Sequence, residues 1–79
     1  MKVLFFARSR QLAGRDSYIL KADQTLTAPE FWARLGEDFP ALLQLQKTAR
    51  LARNESYLQE GERLQPGDEI AVIPPVSGG

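Results

Sequence analysis

Lys2-Val3-Leu4-Phe5-Phe6-Ala7-Arg8 lies near the start of the chain and Glu69-Ile70-Ala71-Val72-Ile73 near its end, and both stretches are rich in strand formers and too short for a helix. Successive side chains on a strand point to opposite faces, so Val3, Phe5 and Ala7 oppose Leu4 and Phe6, and Ile70 and Val72 oppose Ala71 and Ile73. Both sets are apolar in both strands. A sheet built around them has two apolar faces, and the chain offers one main helix to cover one of them. The second face must meet further chain, which this length hardly provides, or remain an apolar patch of the kind that marks a protein interface.

That helix is predicted from Thr27-Ala28-Pro29-Glu30, where the Thr hydroxyl can accept the amide of the third helical residue and the Glu side chain can reach back; Pro29 falls where no amide bond is lost. Phe31, Leu35 and Phe39 recur every four residues on one face, with Ala28 and Trp32 beside them, and Pro40 ends the run. Ser9 to Asp16 is polar and contains Gly14, and Tyr18-Ile19-Leu20 returns to β-prone residues. Strand two (Ser17 to Lys21) is therefore expected antiparallel to strand one across a long turn. Ala41 to Lys47 reads as a short second helical turn or an irregular packed segment. Ala49 to Arg53 and Tyr57 to Leu58 read as short strands around Asn54-Glu55-Ser56. Gln65-Pro66-Gly67-Asp68 has Pro and Gly at the second and third places of a type II turn, and Pro74-Pro75 ends the strand that follows, since neither proline can donate to a ladder. The order is that of an α+β roll: one domain over residues 1–73 and a flexible Gly-Gly tail over 74–79.

The composition narrows function by exclusion. The 79 residues suit a single small domain, and 43% hydrophobic with 25% charged residues is ordinary for a globular protein. Ten basic residues against ten acidic ones give no net charge, so neither nucleic acid nor an anionic membrane is the expected partner. No Cys means no disulfide, no thiolate ligand and no internal thiol to hold sulfur; no His removes the commonest general base and zinc ligand. No metal site is expected. The N-terminal stretch lacks a long apolar region and a cleavage site, which predicts a cytoplasmic protein.

The tail Pro74-Pro75-Val76-Ser77-Gly78-Gly79 favours use of its end rather than its side chains. The prolines stiffen the exit from the sheet, and the two glycines let a bare backbone enter a narrow channel. Fully extended, the tail reaches roughly 20 Å, enough to place a carboxylate inside a neighbouring protein. ATP can convert that carboxylate to an acyl adenylate, whose AMP leaving group opens the carbonyl to a sulfur nucleophile and yields a thiocarboxylate.

Taken together, Lys2 to Arg8 with Leu12-Ala13-Gly14, then Ala52-Arg53-Asn54-Glu55, then Pro66-Gly67-Asp68-Glu69-Ile70-Ala71-Val72-Ile73-Pro74-Pro75-Val76-Ser77-Gly78-Gly79 resemble the small subunits of molybdopterin synthase, the MoaD family. The block from Gly67 is the specific part; Gly-Gly alone is shared with ubiquitin-like modifiers and with the thiamine sulfur carrier. The resemblance implies a ubiquitin-like β-grasp fold with a mixed sheet, and a sulfur carrier that is not an enzyme on its own. It implies a synthase large subunit as partner in a heterotetramer, an E1-like adenylyltransferase that consumes ATP, and a sulfurtransferase. No cofactor is permanently bound. Gly79 is then the reacting residue and Gly78, Ser77, Val76 and Pro75 the channel tail. Phe6, Tyr57 and Ile73 form an apolar docking surface with Arg10 as a polar contact, and sulfur passes to cyclic pyranopterin monophosphate. A sulfur carrier for thiamine or tRNA thiolation, a lysine-conjugated modifier and a plain interaction module are the alternatives.

Other polar features read as structural. Arg8 and Arg15 suit a solvated turn. Adjacent acids at Asp68 and Glu69 point to opposite faces, so Asp68 is expected to cap its turn. Trp32, Phe31 and Phe39 have the spacing of core aromatics.

Overall fold

A computed structural model describes residues 1–75 and orders them as β1 (Lys2–Phe5), α1 (Ala7–Ala13), β2 (Ser17–Ile19), α2 (Ala28–Asp38), a 3₁₀ segment (Pro40–Leu45), β3 (Arg50–Arg53), β4 (Ser56–Tyr57) and β5 (Glu69–Ile73). The five strands form one sheet in the order β2-β1-β5-β3-β4. The two strands that are apolar on both faces are central neighbours: β1 and β5 run parallel, in register from Lys2↔Glu69 to Phe5↔Val72. Every other pairing is antiparallel, β1 with β2 as the sequence predicts. A parallel pair needs a long crossover, and here the intervening chain supplies it, with α2 and the 3₁₀ segment sharing one core with the sheet. This is the β-grasp arrangement.

Helix α2 begins as expected: the Thr27 hydroxyl accepts the Glu30 amide at 3.3 Å, and the Glu30 carboxylate accepts the Thr27 amide at 2.8 Å. Phe31 and Leu35 are fully buried and Trp32 nearly so. Phe39, the last of the stripe, is the C-cap and only partly buried; its ring meets Phe5 and Tyr18 edge-on at centroid distances of 5.6 and 4.9 Å. Residues 41–47 resolve into the 3₁₀ segment and its exit, burying Leu42 and Leu45. That segment lies directly against α2: a Cβ added to buried Gly36 would come within 2.7 Å of the Leu43 side chain.

Two expectations are corrected. Strand one ends at Phe5 rather than Arg8, so Ala7 is exposed and takes no part in the core. Ser9 to Asp16 is not simply a turn, because Ala7–Ala13 is a helix. The chain leaves the sheet through Ala7, which sits in left-handed backbone at φ 49°, and the helix ends at Gly14 at φ 75°. Ser9 at its third position accepts the Phe6 amide at 2.9 Å. A helix of seven residues offers too few turns to show a periodic stripe.

The 65–68 turn forms as read: the Asp68 amide donates to the Gln65 carbonyl at 3.0 Å with Gly67 at φ 91°. The Asp68 carboxylate accepts from the Gln65 amide at 2.8 Å and from Asn54 Nδ2 at 3.1 Å, a capping role. The β3–β4 hairpin turns through Asn54 and Glu55, both with positive φ, as a type I′ turn requires.

Candidate functional site: the open sheet face

Strand register decides which residues share the uncovered face. Leu4 pairs with Ala71, Ala71 with Ala52, and Ala52 with Tyr57, so one transverse row crosses four strands. Its middle is two alanines and its ends are large. That contrast in volume creates a depression of about 400 Å³, and Phe6 and Ile73 complete its rim. Phe6 is 49% exposed and Tyr57 47%, while Val3, Ile70 and Val72, on the other face of the same strands, are fully buried.

Three of the four partner-binding residues named from the sequence, Phe6, Tyr57 and Ile73, therefore come together around one hollow. Arg10 does not line it. It stands on α1 in an ion pair with Asp16 at 3.5 Å, with both side chains mostly in water, a contact of small energetic weight. Arg8 and Arg15 are exposed, as a solvated reading requires. Pro75 is exposed and is the last described residue; Val76, Ser77, Gly78 and Gly79 lie outside the described residues.

Arg50 escaped the sequence reading. It pairs with Ile73 across β3 and β5, and its guanidinium stands 4.0 Å over the Tyr57 ring, a cation–π contact at the root of the tail. Nothing local in Ala49-Arg50-Leu51 signals this, because the contact depends on which strands are neighbours. Ile19, at 62% exposed, adds a further apolar side chain on β2.

The titratable groups that shift lie away from the hollow. Hydrogen bonds from the Thr27 amide and hydroxyl, with Arg63 nearby, hold the Glu30 carboxyl below its ordinary value; the Gln59 amide, then Arg53, does the same for Glu62. The hydrogen bond between the Tyr18 hydroxyl and Asp38 raises the tyrosine. These are caps and loop ties rather than acid–base machinery. Among the described residues no group of three His, Cys, Asp or Glu side chains converges as a metal site would, and no helix is long and apolar enough to cross a membrane.

A ubiquitin-like β-grasp domain with an open apolar sheet face beside its C-terminal strand is thus the class that the fold and site define. The ThiS family model matches residues 3–79. The chain is 37% identical to the human molybdopterin synthase sulfur carrier subunit, over all of this chain and 93% of that protein. Among solved structures it superposes on SAMP1 from Haloferax volcanii with a TM-score of 0.84 at 29% identity, covering 100% of this chain and 98% of that one. A putative molybdopterin converting factor subunit 1 from Pyrococcus furiosus gives 0.79 at 26%, covering 95% of each. The chain belongs to the ThiS family.

Proposed function

We propose that this chain is the sulfur-carrying subunit of a molybdopterin synthase, with the Gly79 carboxylate as its working group. The observation that carries the reading is the continuity of the open apolar face with β5: Ile73 is both the rim of the hollow and the last strand residue before the Pro74-to-Gly79 tail. A partner seated on that face receives the tail. The name carried by the human relative, identical at 37% of positions, supports the same assignment.

The chemistry agrees with a chain that has neither Cys nor His. An E1-like partner joins the Gly79 carboxylate to the α-phosphate of ATP, releasing pyrophosphate. A sulfur nucleophile at the oxidation level of sulfide, furnished by a sulfurtransferase, attacks the acyl carbon and expels AMP, leaving a thiocarboxylate. In the large subunit the sulfur passes to a carbon of cyclic pyranopterin monophosphate that loses an oxygen substituent in exchange. Water, cleaving the acyl carbon–sulfur bond, returns the acyl carbon to a carboxylate. Two such deliveries supply the two sulfurs of a dithiolene. This chain's part is docking and delivery; the large subunit, in a heterotetramer with it, provides the catalytic side chains.

Gly78 and Gly79 then have separate tasks. An added residue beyond Gly79 moves the carboxylate out of register with both the ATP phosphate and the acceptor, where displacements of about 1 Å cost roughly a hundredfold in rate. A bulky residue at Gly78 blocks the channel. Wild type, Gly78→Val and a one-residue extension are to be compared for adenylate formation and, as pre-formed thiocarboxylates, for sulfur transfer to the large subunit. Loss of transfer with unchanged unfolding curves is the expected result. Full activity of the extended protein without trimming overturns the carrier mechanism, and isopeptide adducts on lysines in place of thiocarboxylate point to a protein modifier.

A further inference from the structure

Ser9 is the one polar residue that is fully buried among those described, and its partners are the two elements on which docking and delivery depend. The Lys2 amide donates to the Asp68 carbonyl at 3.0 Å, and the parallel register carries this ladder forward two residues at a time. Its continuation would join the Phe6 amide to the Val72 carbonyl. The chain turns off there, Phe6 at φ −129° being followed by Ala7 at φ 49°, and the Ser9 hydroxyl takes the place of the rung. Its oxygen accepts the Phe6 amide at 2.9 Å and lies 3.1 Å from the Val72 carbonyl oxygen.

The hydroxyl has one proton and two carbonyls in range, since Phe6 O is 2.7 Å away. Phe6 O already accepts the Ser9 amide at 3.0 Å and the Arg10 amide at 3.4 Å. Val72 O has lost its rung to the departure of Phe6, so its need is the greater, and an unmet buried carbonyl is costly. Left-handed Ala7, disfavoured for any residue with a Cβ, is held between these bonds.

We propose that Ser9 is a positioning residue for sulfur delivery, its hydroxyl splicing the Phe6 anchor to the last rung of β5 so that anchor and tail root move as one body. The role rests on the carrier reading above. Val72 precedes Ile73 and the tail, and Phe6 is one of the two exposed aromatics on the rim, with Tyr57. Freed from Val72, Phe6 can dock without fixing where the tail begins, and the reacting carbon loses its register.

The test compares wild type, Ser9→Ala and Ser9→Thr, each carrying a pre-formed thiocarboxylate, for affinity to the large subunit and for the single-turnover transfer rate at saturating carrier. Folded Ser9→Ala is expected to transfer roughly tenfold more slowly at saturation, with Ser9→Thr, which restores a hydroxyl, recovering most of the rate. A merely structural role lowers only the folded fraction, so wild-type rate at saturation for Ser9→Ala overturns the proposal. So does a folded Ser9→Thr as slow as Ser9→Ala. Should Ser9→Ala not fold, amide hydrogen exchange on the wild type decides: the splice requires the Phe6 amide to be protected like the β1 amides, and rapid exchange there refutes it. Failure of the wild-type thiocarboxylate to transfer at all overturns the carrier reading and the delivery role with it, while Phe6 exchange still reports on the splice by itself.

Discussion

The two faces of the sheet are built from the same strands, residue by residue in alternation, and they meet opposite fates. Val72 is fully buried and its neighbour Ile73 is not; Phe5 is 2% exposed and Phe6 49%. Hydrophobicity does not separate them. Coverage does: α2 and the 3₁₀ segment pack on one face, and nothing among the described residues packs on the other. Volume differs as well. The covered face fills its centre with Val72, Ile70 and Leu51, whereas the open face has Ala71 and Ala52 there and keeps its bulk at the rim. A fully packed face stabilises the domain, while a face that is hollow at the centre and apolar at the edge leaves apolar surface in water, the feature on which the proposed docking rests.

The largest effect should come from breaking the covered face. Leu35 is fully buried against it, so Leu35→Ala should lower the unfolding free energy by about 2–5 kcal/mol in a denaturant titration. A change under about 0.5 kcal/mol, the range of a surface substitution, would mean that α2 does not seal the core.

On the open face the outcome should invert. Phe6→Asp places a charge where the ring is already half in water, so its cost in stability should be well below that of Leu35→Ala. Binding to the synthase large subunit, followed by calorimetry, should weaken by about 2 kcal/mol or more if the ring is a central anchor. Wild-type affinity in the folded variant removes this face from the docking assignment.

The smallest effect concerns the cap of the helix that creates the difference between the faces. Glu30 has a folded pKa below its unfolded one, chiefly through the Thr27 amide. Its charged form therefore contributes stability that is present above the unfolded pKa and is lost as pH falls through the folded value. Glu30→Gln keeps an acceptor but cannot titrate, so the acid-side decline in stability should be shallower than in wild type. Parallel declines in the two proteins would show that the cap carries no such linkage.

The legible parts of the chain are those whose signal is local. Thr27 and Glu30 stand three residues apart, Phe31 and Leu35 recur at helical spacing, and Pro66-Gly67 fills a four-residue turn; each forms as its sequence indicates. Helix α1 was not legible. Its length hides any stripe, its entry needs a left-handed alanine that no propensity favours, and its first turn is tied by a serine bonded to residues that include Val72, far along the chain. Gly14 as a C-cap was the one local clue. Arg50 escaped for a related reason, since Tyr57 and Ile73 become its neighbours only through strand pairing.

By itself, then, the sequence determined the presence of α2, the turn before β5, the double-sided apolar strands and a chain without Cys or His, because each depends on residue type or on spacings of a few residues. Only the tertiary structure decided that β1 and β5 are parallel neighbours, that Ala71 and Ala52 hollow the open face while Phe6, Tyr57 and Ile73 rim it, and that Ser9 joins one side of that rim to the strand beneath the tail. These depend on contacts between residues distant in sequence, which are fixed by the burial of a single shared core and carry no local signal of their own.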